Sequence, residues 1–141
     1  MTEFEEGDAD LEDTGDDARW TVSRAAAQLL QEVAGLVGDA AWRPTVEFMG
    51  PKLNSDRWQD QYVGMTALGS VLEGPSSQML FNQMEGPLGA IMQTADTNAA
   101  PRVRFTSASV IAKTCHVVPQ LLLASEANLN SMFTTCINRI N

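Results

Sequence analysis

From Trp20 to the end of the chain, apolar side chains recur at spacings of three and four, and runs of Gly, Pro or small polar residues interrupt the pattern. That spacing puts apolar groups on one side of a helix. No window shows the period-two alternation of β-branched residues that a strand needs. The chain therefore reads as all-α. Residues 20–37 place Val22, Ala26, Leu29, Leu30, Val33 and Val37 on the pattern, which Gly38-Asp39 ends. Residues 42–53 carry Val46, Met49 and Leu53, with Pro44 suited to the first turn and Pro51 bending or fraying the end. Asn54-Ser55-Asp56 offers cap residues for a helix over 57–72, with Tyr62, Met65, Leu68, Val71 and Leu72 inward. Glu73-Gly74-Pro75-Ser76 is a stop and turn. Residues 77–94 carry Met79, Leu80, Met84, Leu88, Ile91 and Met92, and the internal Gly86-Pro87 predicts a kink. After a loop at 95–101, a helix over 102–118 carries Val103, Ala108, Ile111, Ala112 and Cys115, closed or kinked by Pro119. A last helix over 126–140 carries Leu129, Met132, Phe133, Cys136 and Ile140.

These segments repeat. With Trp20 laid on Trp58, Leu30 falls on Leu68 and Val33 on Val71; with Gln61 on Arg104, Leu68 falls on Ile111. A period of about 40 residues with two helices per unit is the signature of HEAT or armadillo arrays, α–α superhelices stacked as solenoids. One such unit cannot bury its apolar face alone, so neighbours cover it. Residues 19–141 divide into about two and a half units, over 20–38, 42–72, 77–118 and 126–140. The first unit lacks its first helix and the last stops after its first. The expectation is a piece of a longer array, with Leu29, Leu30, Phe133 and Ile137 uncovered.

Ahead of the helices lies a different kind of chain. Residues 1–18 hold nine carboxylates (Glu3, Glu5, Glu6, Asp8, Asp10, Glu12, Asp13, Asp16 and Asp17) and no Lys or Arg. The remaining nine acids balance the nine bases, so the whole net charge of −9 sits in this segment. With so little apolar content it is expected to be a disordered, solvated loop or tail. Its sign argues against nucleic acid, which demands cations, and favours a basic protein partner. As a calcium loop it fails: Asp10, Glu12 and Thr14 align with Gly15 at the sixth position, but Thr21 stands where a bidentate Glu is needed. Cys115 and Cys136 form no zinc or disulfide pattern and read as reduced thiols. No signal peptide or membrane-spanning stretch is visible. The single histidine, His116, adjoins Cys115, and adjacent helical residues point about 100° apart. No catalytic set, phosphate loop, metal or cofactor site follows, and no enzyme is expected.

The acidic run DADLEDTGDDARW, then SDRWQDQYVGMTALGSVLEGP with Asp56, Trp58 and Leu72-Glu73-Gly74-Pro75, then PRVRFTSASVIAKTCHVVP, resembles in that order the importin-β (karyopherin-β) nuclear transport receptors. In that family an acidic loop inside one HEAT repeat precedes a Trp and an Ala-rich helix. The likeness covers residues 19–140 and the acidic segment. It departs at Ser109, where importin-β carries a Trp that helps grip the importin-α tail. Pro101-Arg102-Val103-Arg104 looks more like the related importins of ribosomal proteins and histones. The resemblance implies a binding module shuttling between cytoplasm, nuclear envelope and nucleus. Asp8, Asp10, Glu12, Asp13, Asp16 and Asp17 would meet a basic patch on the Ran GTPase. Trp20 would stack on an Arg or Lys stem, and the concave helix faces would take an importin-α tail or other basic cargo. Nucleoporins would bind elsewhere in a full receptor. Trp20 is equally open to core packing, and Trp58, after a capping Asp, reads rather as a residue that pins its helix to a neighbour; on the residues alone the acidic run is open to being a spacer and the whole to being a HEAT scaffold such as a phosphatase or assembly platform.

Overall fold

The computed structural model describes residues 22–140, the Arg139 side chain excepted. Within them run α1 (Val22–Val37), a 3-10 turn (Gly38–Ala41), α2 (Trp42–Leu53), α3 (Trp58–Val71), α4 (Ser77–Met84), α5 (Pro87–Thr97), α6 (Pro101–Val117), α7 (Pro119–Leu123) and α8 (Glu126–Ile140). No strand occurs among the described residues. The array is the all-α solenoid that the repeat predicts.

The helices lie in two layers. α1 packs on α3 and α3 on α6, while α2 pairs with α3, α5 with α6, and α8 with α5. Contacts along the first layer fix its direction. Gln31 Nε2 donates to Glu73 Oε2 at 3.2 Å and Lys113 Nζ to the Gly69 carbonyl at 3.0 Å, so the C-terminal halves of α1, α3 and α6 lie side by side and the helices run parallel. One continuous core between the layers holds Leu68, Leu72, Leu80, Leu88, Ile91 and Val110, with Met49, Met65, Met84 and Met92 filling its irregular gaps.

Helix ends follow local chemistry. Gly86-Pro87 interrupts the long 77–94 segment: α4 ends at Met84 and Pro87, which has no N–H to lose, opens α5, while Glu85 and Gly86 between them keep helical dihedrals, as the expected kink requires. Ser76 caps α4 by accepting from the Met79 N–H at 3.3 Å. Its own N–H donates to Asp39 Oδ1 at 2.6 Å, tying the turn after α1 to the start of α4. At α3 the capping residue is Arg57, with no side-chain bond of its own. Ser55 does the work expected of Asn54-Ser55-Asp56, accepting from the Arg57 N–H at 3.2 Å and donating to Asp60 Oδ2 at 2.8 Å. Val118 leaves the helical region (φ −137°, ψ 64°) because a residue before proline is crowded out of it. Pro119 then starts α7, which the spacing pattern did not foresee. It is a single turn, too short to show a period, and it buries Leu121.

Several inward faces differ from expectation. α2 buries Trp42, Thr45 and Met49, leaving Val46 exposed and Leu53 half-buried. α6 buries Ser107, Val110 and Thr114, and Ala112 is exposed. The two hydroxyls enter the core because each donates to a carbonyl one turn back, Val103 at 2.7 Å and Val110 at 2.8 Å. In α1, Val22, Leu29, Val33 and Val37 are exposed and only Ala34 is fully buried; in α8, Phe133, Cys136 and Ile140 are exposed and Thr135 is buried. Among the described residues, α1 packs on α3 and the turn after it, and α8 on α5 and α7, so each leaves one side uncovered by them.

Candidate partner-binding surfaces

The acidic residues Asp8, Asp10, Glu12, Asp13, Asp16 and Asp17, the aromatic Trp20 and the rejected calcium pattern all lie outside the described residues. They precede α1, whose first turn opens the α1–α3–α6 layer. Trp58, the first residue of α3, is half-buried, as a helix-pinning residue would be.

The side of α6 turned away from the core carries Arg102, Phe105, Ser109, Ala112 and His116 at helical spacing. Phe105 is 75% exposed and was missed by the sequence reading, because one aromatic on a helix otherwise reads as core. On the repeat register Phe105 corresponds to Tyr62 of α3, and Ser109 to Thr66. The charge of this helix is one-sided: α6 contains Arg102, Arg104, Lys113 and His116 and no acid. Arg104 Nη1 donates to the Asn98 carbonyl at 2.7 Å, clasping the end of α5, and Lys113 holds Gly69 as described. Both cations are thus satisfied by neutral carbonyls. A positive helix with an exposed ring does not supply the field a basic cargo seeks.

Cys115 and His116 diverge. His116 is exposed, whereas the Cys115 thiol touches Met132 Sδ at 3.3 Å and is pushed up from its ordinary pKa by burial. Thiol and imidazole form no catalytic pair.

Two grooves open between helices of the second layer. The first, about 370 Å³, lies between α2 and α5; Met49, Leu53, Met65, Leu68 and Ile91 line it, with Asn54, Gln61 and Asn98 among its polar groups. Asn98 Nδ2 donates to Gln61 Oε1 at 2.9 Å and Asn98 Oδ1 accepts from the Ala100 N–H at 2.9 Å, which joins α3, α5 and the start of α6. The second, about 500 Å³, lies between α5 and α8 and is lined by Gln93, Asp96, Asn128, Ser131 and Thr135 among others. Thr135 donates to Asp96 Oδ2 at 3.0 Å. Groove residues come from elements far apart in sequence, so no local motif announces them. No helix among the described residues is long and apolar enough to cross a membrane.

No protein-family model matches the chain. Similarity to known proteins is nonetheless consistent. The chain is 36% identical over 69 residues to importin subunit beta-1 of Schizosaccharomyces pombe, covering 49% of this chain and 8% of that protein. To importin subunit beta-1 of Arabidopsis thaliana it is 24% identical over 141 residues, covering 97% of this chain and 16% of the relative. To the Saccharomyces cerevisiae importin subunit beta-1 it is 34% identical over 64 residues, covering 45% and 7%. The chain thus spans a small part of the length of these relatives. A solved structure from the study of Kap95p binding to RanGDP shares the fold, with a TM-score of 0.79, 22% identity, and coverage of 88% of this chain and 14% of that one. Taken with the two-layered array of parallel helices, these likenesses show the HEAT-type solenoid fold and make the chain similar to a segment of importin subunit beta-1.

Proposed function

We propose that this chain is a partner-binding segment of a nuclear import receptor, in which residues 1–17 form a recognition element for basic surfaces. The intended partners are the Ran GTPase and an importin-α tail or comparable basic cargo, carried between cytoplasm and nucleus. The observation that carries this reading is the placement of charge. Nine of the 18 acids fall in residues 1–17, without a base among them, while α6 carries cations and no acid. A basic partner therefore has one strongly attractive region, the segment entering α1, and the helical array acts as its mount. Dense exposed charge raises encounter rates and makes affinity depend on salt.

The test is binding of the chain to an importin-α tail peptide and to GTP-loaded Ran across a salt series. Screening shortens from about 10 Å at 0.1 M to about 3 Å at 1 M, so affinity should fall steeply. Replacing Asp8, Asp10, Glu12, Asp13, Asp16 and Asp17 by Asn should weaken binding at low salt and flatten the salt dependence. Binding indifferent to both salt and neutralisation would remove the acidic segment from the recognition role and favour a plain helical scaffold.

A further inference from the structure

Several arginines gather at one edge of the array. α1, α3 and α6 run parallel, so their N-terminal ends share an edge of the first layer. Arg24 stands in the first turn of α1, Arg57 immediately precedes α3, and Arg102 and Arg104 stand in the first turn of α6. The first turns of α1 and α6 hold no acid, and that of α3 holds only Asp60, already bound by Ser55 and Lys52. The partial positive charge at the start of each helix adds to the arginines.

An exposed ring lies beside them. In the repeat register Arg24, Tyr62 and Phe105 are equivalent, so they form a row across the three helices, about one turn inside Arg57 and Arg102. Arg24, Arg57 and Phe105 are exposed, and Tyr62 and Arg102 half-buried. Such a surface suits an acidic segment that carries single apolar side chains. Residues 1–18 have that composition: nine carboxylates, no base, and Phe4 and Leu11 among them. They are also tethered at this edge, because they lead into α1. Packed helices lie about 8–10 Å apart, which puts α6 roughly 20 Å from α1. Residues 3–17 reach roughly 50 Å when extended. The tether keeps them at an effective concentration on the order of millimolar, so that exposed ion pairs, each of small worth, act together.

We propose that residues 3–17 dock on their own chain along this edge. Carboxylates face Arg57, Arg102 and the starts of α3 and α6, and the Phe105 ring receives an apolar side chain. A consequence follows that rests on the proposed function: a basic partner must displace the segment from the array, so weakly basic competitors are rejected.

The first test needs no partner. Amide NMR spectra of the whole chain are compared with those of a variant in which Asp8, Asp10, Asp13, Asp16 and Asp17 become Asn and Glu12 becomes Gln. At 50 mM salt, amides over 57–62 and 101–106 should differ between the two, while those of α4 coincide. Raising salt to about 1 M, where screening shortens to about 3 Å, should bring the parent to the positions of the variant. Identical spectra at low salt would overturn the docking. So would differences that grow with protein concentration, which indicate docking between copies. The second test uses a decalysine peptide as the basic probe. Arg57→Gln and Arg102→Gln release the segment and should tighten peptide binding about two- to fivefold, the worth of an exposed ion pair. Arg43→Gln makes the same charge change on α2 in the other layer and should have less effect. Equal tightening by all three variants would overturn the assignment of the edge. Absence of peptide binding in every variant, with the amide response intact, would support the docking and overturn the recognition role of the segment.

Discussion

Gly74 shows how little room one residue can have in this array. A Cβ built there would meet the Ala34 carbonyl oxygen, with the Ala34 carbonyl carbon at 2.7 Å and its Cβ at 2.9 Å. Two of those three atoms are backbone and cannot swing aside, so the turn after α3 can lie against α1 only without a side chain. Gly38, at φ 62°, supplies the other turn of this contact in a backbone region that favours glycine. Gly74→Ala is therefore expected to cost about 1–3 kcal/mol, the usual penalty of overpacking. Gly35 is the control: it lies within α1, and a Cβ there would meet nothing within 4 Å. Gly35→Ala should gain roughly 0.5–1 kcal/mol from helix propensity. Urea midpoints of the two variants should move in opposite directions. The sequence marks Glu73-Gly74-Pro75 as a turn, but only the packing distinguishes a glycine needed for closeness from one that is incidental.

At the scale of the element, the α2–α3 connection is held by side chains. Lys52 Nζ donates to Asp60 Oδ1 at 3.1 Å, the Ser55 hydroxyl donates to Oδ2, and Gln61 Nε2 donates to the Ser55 carbonyl at 2.7 Å. The Ser55 hydrogen bond first, then the Lys52 ammonium, hold the Asp60 carboxyl below its ordinary value of 3.8. In the unfolded chain those partners are absent and the carboxylate takes a proton more readily. The clasp therefore stabilises the fold above the ordinary value, and that contribution is lost as pH falls through the lowered folded value. Asp60→Asn should lower stability near neutrality and flatten its decline into acid. The measurement is a series of urea midpoints from pH 6 to pH 3 on both proteins; parallel declines would show that the clasp contributes nothing. A second element-scale expectation concerns α4. Ser76→Ala removes the acceptor for the Met79 N–H and should cost about 1 kcal/mol, again read from urea midpoints.

For the whole molecule, the division of charge separates two kinetic roles under the proposed function. Neutralising the acidic segment acts on the encounter, so it should slow association with an importin-α tail peptide more than it speeds dissociation. Trp20→Ala should do the reverse, because a stacked aromatic acts only at short range. Stopped-flow rates for the two variants test the distinction. Equal effects on both rates in both variants would mean that steering and contact are not divided between them.

The order of the longer helices, most of their limits to within a few residues, and the array they form follow from the sequence alone, because spacing of apolar residues and Gly-Pro interruptions are local properties; the single-turn α7 does not. So does the charge imbalance. The kink expected at Gly86-Pro87 falls where Pro87 opens α5, with Glu85 and Gly86 still helical in backbone. What the sequence could not decide is which face of a helix has a neighbour. Val33 and Val71 occupy equivalent repeat positions, yet Val33 is exposed and Val71 fully buried. The same residue type takes opposite environments because α3 lies between α1 and α6, while among the described residues α1 packs on α3 alone of the layer. Likewise Ser107 and Thr114, polar by composition, are core because the backbone one turn back satisfies their hydroxyls. Burial, grooves and open faces are properties of what lies across a contact, and only the tertiary structure specifies that.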